Sequence, residues 1–168
     1  PFLGGGDMIR DVWLDHSIWN DLPWKYEAGT PNIADVIAFG AALDYLDALG
    51  MDAVRDHEEK ITRYAIGRLS EMDGITLYGP RDARERGSAL AFNYRVIHPH
   101  DLSQVLDQRA IAIRAGHHCA QPLIRRLDEV ATARASFYLY NREDEVDALV
   151  EGIRDADRIF GDVVRAGA

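Results

Sequence analysis

The segment from Asn141 to Phe160 most constrains the fold. Val146, Leu149, Val150, Ile153, Ala156 and Phe160 recur at three- and four-residue steps, which lines them along one face of an α-helix. Glu143, Asp144 and Glu145 stand in its first turn, where the helix dipole favours negative charge, and Asn141 is expected as its cap. A helix with one apolar stripe must lay that stripe on another layer. The preceding segments supply one. Ile75–Tyr78, Ala89–Tyr94, Ala110–Arg114 and Thr132–Leu139 are short runs with strand character, the second with Leu90, Phe92 and Tyr94 alternating. Between them, Pro99 suits the first turn of a helix running to about Gln108, since its missing N–H is not needed there. The expected class is α+β: a short, mostly antiparallel sheet of three or four strands with helices packed on one face.

Two long helices are expected ahead of this sheet. Ile33, Ile37, Ala41, Leu43 and Leu46 carry helical spacing, with Asn32 as cap and Gly50 as stop. A second helix runs from about Met51 to Ser70, with Val54, Ile61, Ala65 and Leu69 on one face and His57-Glu58-Glu59-Lys60 on the other. Before Asn32 the chain is rich in Gly, Pro, Trp and Asp and holds no period; it reads as loop, with a short strand near Ile9–Leu14. Arg81–Gly87 reads as a polar turn, and a loop follows Ala115 with one helical turn at Pro122–Leu127.

Composition narrows the function classes. With 19 basic against 28 acidic side chains, the net charge of -9 repels phosphate backbones. The densest basic run, Arg81-Asp82-Ala83-Arg84-Glu85-Arg86, is compensated by its own acids, so nucleic acid is not an expected partner. No apolar run approaches the ~20 residues of a membrane span and no basic-then-apolar leader is present, so no membrane association is expected. Cys119 is the one cysteine, which rules out an internal disulfide and fits a reducing cytoplasm. Lys25 and Lys60 are the only lysines. The chain starts at Pro1 and its first Met is Met8, so a piece of a longer protein is expected.

Several short motifs carry chemistry. Gly4-Gly5-Gly6 lacks the strand that precedes a dinucleotide fingerprint and the Lys-Ser/Thr of a phosphate loop, and reads as a turn with unusual backbone angles. Tyr26-Glu27-Ala28-Gly29-Thr30-Pro31-Asn32 sets small residues and a hydroxyl ahead of a helix, either an anion site or a plain cap and turn. His98-Pro99-His100-Asp101 has metal-like letters but coincides with a helix start, where capping is the better account.

The strongest cluster is Arg114-Ala115-Gly116-His117-His118-Cys119-Ala120-Gln121-Pro122. A strand delivers Arg114 to its end, Gly116 lets the backbone turn, and the thiol follows on an exposed loop. A free thiol is only a few per cent thiolate at pH 7, and a neighbouring Arg or protonated His raises that fraction. Arg114, His117 and His118 therefore mark Cys119 as a candidate activated nucleophile. Metal is disfavoured, because three consecutive residues cannot all face one ion and no second Cys completes a set. Arg134 lies in a strand of small residues. It holds either an internal carboxylate, the commoner arrangement, or the carboxylate of a ligand.

Together with the opening residues 1–9 and Ala133–Asn141, these motifs in this order resemble the C-terminal part of a SUF-type cysteine desulfurase, a group that includes selenocysteine lyases among the class V aminotransferases. The resemblance covers essentially the whole chain. Its most specific part is the Cys119 loop, since the other desulfurase type carries its cysteine in a longer, Ser-rich loop. The resemblance implies a fold-type-I pyridoxal-phosphate (PLP) enzyme, with residues 51–168 as its small C-terminal domain and residues 1–50 adjoining a large cofactor-binding domain outside this chain. Cys119 matches the nucleophile that takes sulfur from L-cysteine, or selenium from selenocysteine, as a persulfide. Alanine is released, and an acceptor protein of the SUF system takes the sulfur for iron–sulfur cluster assembly.

Arg134 matches the arginine that binds the substrate α-carboxylate, with Arg114 near the same site, while His117 and His118 belong to the motif without an assigned role. Gly29 and Thr30 match the loop that binds the cofactor phosphate across a homodimer. The family's cofactor-bearing lysine lies upstream and neither Lys25 nor Lys60 matches it, so this piece is expected to hold no covalent PLP and to be inactive alone. Two other readings stand beside this one: a stand-alone thiol or sulfur-carrier module, and another class V enzyme such as a kynureninase-like hydrolase. The His-His-Cys loop speaks against the last, whose chemistry needs no thiol there.

Overall fold

A computed structural model describes residues 2–166, with side chains described through Phe160. Pro1, Gly167 and Ala168, which close the two expected segments, lie outside the described residues. The chain divides into two compact units, Pro1–Met51 and Asp52–Ala168.

The second unit is the α+β element expected. Strands β3 (Ile75–Tyr78), β4 (Ala89–Tyr94), β5 (Arg114–Gly116) and β6 (Thr132–Ser136) form one sheet in the order β3-β4-β6-β5, every pairing antiparallel. Helices α2 (Met51–Ser70), α3 (Pro99–Asp107) and α5 (Glu143–Ala166) share one core with it, and a short α4 (Gln121–Arg126) follows the Cys119 loop. Leu77, Leu90, Phe92, Tyr94, Ala133 and Ala135 come from the sheet; Ile61, Ala65 and Leu69 from α2; Leu102 and Leu106 from α3; Val146, Leu149, Val150, Ile153 and Ala156 from α5. Each large side chain so buried contributes about 1.5–3 kcal/mol. Because strand residues alternate, the opposite face of the sheet carries Tyr78, Asn93, Thr132, Arg134 and Arg114. One face holds the fold together and the other is polar.

The polar turn at 81–87 is held by guanidinium groups. Arg55 on α2 donates to the carbonyls of Ala83, Arg84 and Arg86 at 3.1–3.2 Å. Arg86 in turn donates to the carbonyls of Tyr78, Pro80 and Ala89.

Three expectations are corrected in this unit. The third strand starts at Arg114, not Ala110, because the end of α3 takes the preceding backbone: Ala110 N–H donates to Asp107 O and Ile111 N–H to Leu106 O, with Ala110 left-handed at φ 58°. The fourth strand ends at Ser136, not Leu139, since Tyr138 N–H is taken by the Asn141 side chain at 2.8 Å and Asn141 N–H by Tyr138 O. Asn141 is therefore a turn residue rather than the cap of α5. The start of α5 is closed by Glu145, whose carboxylate accepts from Arg142 N–H at 2.8 Å and from the Asn141 amide at 3.1 Å. His98 does cap α3, its side chain accepting from His100 N–H at 3.3 Å.

In the first unit the short strand expected near Ile9–Leu14 is present as β1 (Ile9–Val12), and it pairs as a hairpin with β2 (Ser17–Trp19), a segment expected as loop. Neither strand has a buried residue, so there is no alternation for the sequence to display. Trp13 stacks on His16 across the turn at 4.6 Å. Gly5 has an extended backbone, φ −159°, rather than an unusual one. Glycine stands there because Ala28 O approaches so closely that a Cβ would lie 1.3 Å from it.

Helix α1 (Ile33–Leu49) is capped by Asn32, as expected, and stopped at Gly50, φ 83°. It buries no residue: Ile33, Val36, Ile37, Phe39, Leu43 and Tyr45 are all exposed. No helix among the described residues is long and apolar enough to cross a membrane.

Candidate active site

Arg114 and Arg134 are direct register partners on β5 and β6. Opposed residues on an antiparallel pair hold their Cβ atoms about 4.5–5.5 Å apart on one face, and like charges there repel. Elsewhere in the chain Arg68, Arg95 and Arg109 each meet an aspartate. Arg114 and Arg134 meet no carboxylate among the described residues, and the Nε–H of half-buried Arg134 has no hydrogen-bond partner. Of the two arrangements open for Arg134, an internal carboxylate is not found among the described residues. Two guanidinium forks stand side by side, an arrangement chemically suited to a carboxylate.

The thiol arrives by an unusual backbone path. Gly116 turns at φ 126°, and His118 (φ 55°) and Cys119 (φ 59°) are both left-handed. A non-glycine residue held in a sparsely populated region costs about 1–3 kcal/mol and persists only where its surroundings fix it. Ala120 N–H closes the turn on His117 O at 2.9 Å. Arg114 Nη2 donates toward Cys119 Sγ at 3.6 Å, setting a cation against the sulfur.

His118 Nε2 lies 3.0 Å from Thr132 O and 2.9 Å from Thr132 Oγ1. A carbonyl oxygen can only accept, so Nε2 carries the hydrogen and the buried, unpartnered Nδ1 is bare. Burial, and then the positive charge of Arg134 and Arg114, hold His118 below the ordinary histidine range. Its ring is neutral near pH 7.

Cys119 is exposed and lines an open concavity of about 500 Å³ with Arg114, Ala115, His117, His118, Gln121 and Pro122. Of the residues singled out from the sequence, Arg114, His117, His118, Cys119 and Arg134 are gathered around β5 and β6. Gly29 and Thr30 lie in the other unit, in an exposed bend ahead of α1, where a side chain at Gly29 would meet nothing within 4 Å. No lysine lines the concavity; Lys60 is exposed on α2 and pairs with Glu143 at 3.3 Å.

Sequence reasoning missed a second tier beneath the loop. Thr132 is fully buried. The Tyr78 hydroxyl donates to the Glu129 carboxylate, while the Asn93 amide donates to Ala131 O at 3.1 Å and to the Tyr78 oxygen at 3.3 Å. Burial, followed by the bond to Glu129, pushes the Tyr78 phenol far above its ordinary value. For Thr132 a signal existed: it stands two residues before Arg134 and so shares its face.

The aminotransferase class-V family profile matches residues 1–149. A probable cysteine desulfurase of Halalkalibacterium halodurans is 51% identical over 163 residues, which are 97% of this chain and 39% of that protein. The apo cysteine desulfurase of Thermococcus onnurineus NA1 superposes with a TM-score of 0.84 at 35% identity, over 92% of this chain and 38% of that one. The S-sulfonic acid form of the cysteine desulfurase CsdA from Escherichia coli also gives 0.84, at 37% identity, over 95% and 39%. The chain spans about two-fifths of the length of these relatives. With that coverage, and the fold of the corresponding part of cysteine desulfurases, the chain belongs to the aminotransferase class V family.

Proposed function

We propose that this chain is the sulfur-accepting part of a PLP-dependent cysteine desulfurase. One observation carries the reading: an exposed thiol stands against one of two adjacent arginines that meet no carboxylate among the described residues. L-cysteine brings what this arrangement lacks, a carboxylate and a sulfur. Arg134 binds the α-carboxylate through its fork, and Arg114 adds a second positive charge there while facing the Cys119 sulfur. His118, neutral, fixes the loop, and His117 stands at the exposed rim.

PLP, when bound, supplies the electron sink that lets the substrate lose its α-proton and its carbon–sulfur bond break. Gly29 and Thr30 would hold its phosphate through backbone N–H and hydroxyl groups, across a homodimer. Lys60 is exposed and pairs with Glu143, and no lysine lines the Cys119 concavity; the lysine that carries the cofactor would belong to the part of the protein that this chain does not span.

Cys119 Sγ attacks the substrate sulfur. A sulfur–sulfur bond forms as the substrate Cβ–S bond breaks, and the electron pair of that bond stays with the carbon. Cβ takes up a proton, Cα regains the one it lost and the product leaves as alanine, while Cys119 keeps the sulfur as a persulfide. Selenocysteine would follow the same route with selenium as the transferred atom. The exposed loop then offers the persulfide to an acceptor protein of SUF type for iron–sulfur assembly, in a cytoplasm reducing enough to keep a lone thiol free. In this reading residues 51–168 act as the small domain. Residues 1–50, with the exposed apolar side chains of α1, adjoin a large cofactor-binding domain.

The test uses the full-length protein that contains this chain, with alanine and reductant-released sulfide measured from L-cysteine. Cys119→Ala should abolish both, since Cys119 is the thiol that stands against Arg114 at the site. Unchanged sulfide release would refute the reading. Loss of visible cofactor absorbance from the full-length protein would point instead to a thiol carrier.

A further inference from the structure

We infer that Thr132 is a positioning residue for sulfur transfer, latching through His118 the turn that presents Cys119. The inference rests on the reading of Cys119 as the sulfur acceptor and goes beyond it to the residue that holds the acceptor in place.

Two consecutive left-handed residues, His118 and Cys119, do not hold themselves in that conformation. The contact from Arg114 to Sγ is long, at 3.6 Å, and a turn bond at 2.9 Å closes the loop without tying it to the sheet. The tie to the sheet is the His118 imidazole, whose one N–H is shared between the carbonyl and the hydroxyl of Thr132 at 3.0 and 2.9 Å. Two acceptors from one residue fix the ring's plane as well as its distance. Thr132 can serve as this anchor because it is fully buried in β6, where the ladder to β4 and β5 holds its strand from both sides.

The position of Thr132 matters as much as its hydroxyl. It lies two residues before Arg134, on the same face of the same strand, so the two side chains are offset by about 6.6 Å along β6. One strand therefore carries both the anchor of the sulfur acceptor and the fork for the carboxylate. A cysteine's own covalent frame fixes the span from carboxylate to sulfur, so attack depends on that spacing being kept. A loosened latch leaves Arg134 free to bind substrate and misplaces only the acceptor. The consequence falls on the rate of transfer rather than on substrate binding.

The experiment uses the full-length protein and compares Thr132→Val, which keeps the shape and removes the hydroxyl, with Thr132→Ser, which keeps the hydroxyl. Thr132→Ala removes the hydroxyl with less bulk and serves as a second deletion. Steady-state turnover of L-cysteine gives kcat and KM, thermal melting reports the fold, and Cys119→Ala is run alongside. The expected result for Thr132→Val and Thr132→Ala is a five- to tenfold lower kcat, which is about 1–1.4 kcal/mol for one hydrogen bond. KM should stay within about twofold, and Thr132→Ser should recover most of the rate.

A wild-type kcat in Thr132→Val would overturn the latch, as would a loss that Ser does not rescue or a rise in KM that accounts for the whole effect. If Cys119→Ala is inactive while Thr132→Val is normal, the latch fails and the sulfur-acceptor reading survives. If Cys119→Ala turns over normally, the acceptor reading fails and takes the latch with it.

Discussion

Arg134→Met, made in the full-length protein, separates the cost of the arginine pair from its use. The substitution keeps an unbranched side chain of similar reach and removes the charge. Arg134 sits opposite Arg114 in register and has an unpartnered Nε–H, so the wild-type sheet carries a repulsion and an unsatisfied donor at one place. Like charges directly opposed cost up to about 1 kcal/mol, and an unsatisfied buried donor about 1–3 kcal/mol, the latter discounted because Arg134 is only half-buried. The variant should therefore be more stable by about 1 kcal/mol, a rise in Tm of only about 1–2 °C in a full-length protein more than twice as long as this chain.

Catalysis should move the other way. Losing a charge-assisted fork on a carboxylate costs about 3–4 kcal/mol, a fall in kcat/KM of about a hundred- to a thousandfold, carried mainly by KM. Differential scanning fluorimetry and cysteine turnover on the same preparation read both effects. Salt adds a control: screening contracts the Debye length from about 10 Å at 0.1 M to about 3 Å at 1 M, so added salt should stabilise the wild type more than the variant. A Tm that falls by several degrees with a near-normal KM would refute the reasoning, because it would make Arg134 a structural residue with an internal partner.

Other expectations follow from single contacts. His118 is held below the ordinary histidine range by burial and by Arg134, Arg114 and His117 around it. The unfolded chain takes that proton first as pH falls, so stability is complete above about pH 6.5 and declines below it; urea midpoints at descending pH should show a slope that His118→Gln flattens. Tyr78→Phe removes the hydroxyl that the Glu129 carboxylate and the Asn93 amide share, and should lower stability by about 1.5–3 kcal/mol in denaturant unfolding; an unchanged midpoint would show that the tier beneath the loop holds nothing. Gly5→Ala sets a Cβ 1.3 Å from a backbone oxygen of Ala28 with no penalty from φ, so it should cost about 1–3 kcal/mol of packing strain and raise protease sensitivity before residue 32; equal protection of the variant would contradict that approach.

The core face of the sheet was legible because its cause is local. Leu90, Phe92 and Tyr94 alternate along one strand, and Val146, Leu149, Val150 and Ile153 repeat along one helix; all seven are buried. The ends of elements were less legible, because they depend on which group captures a backbone N–H. Tyr138 and Asn141 close a turn on each other, and that bond shortens β6 and displaces the cap of α5 to Glu145. In the first unit β1 was legible as a short strand, but its pairing with β2 and the packing of Gly5 on Ala28 gave no periodic signal. In those places hydrogen bonds and steric fit decide the structure with no buried face to advertise it.

On the polar face, chemical identity was legible and partnership was not. Cys119 with Arg114 five residues away can be read as a thiol beside a cation, and the structure sets them 3.6 Å apart. For Thr132 only its face was legible, from its place two residues before Arg134; its role was not, because a β-branched residue in a buried strand already has a sufficient explanation in strand propensity and packing. Its second role exists only once the loop folds back across fourteen residues to bring His118 onto it, as Glu129 comes back across fifty-one to Tyr78. Both returns land on the face that the core does not use. Substitutions on the core face should therefore change stability first. On β6, where Thr132 and Arg134 alternate with Ala133 and Ala135, a single strand should separate the two effects position by position.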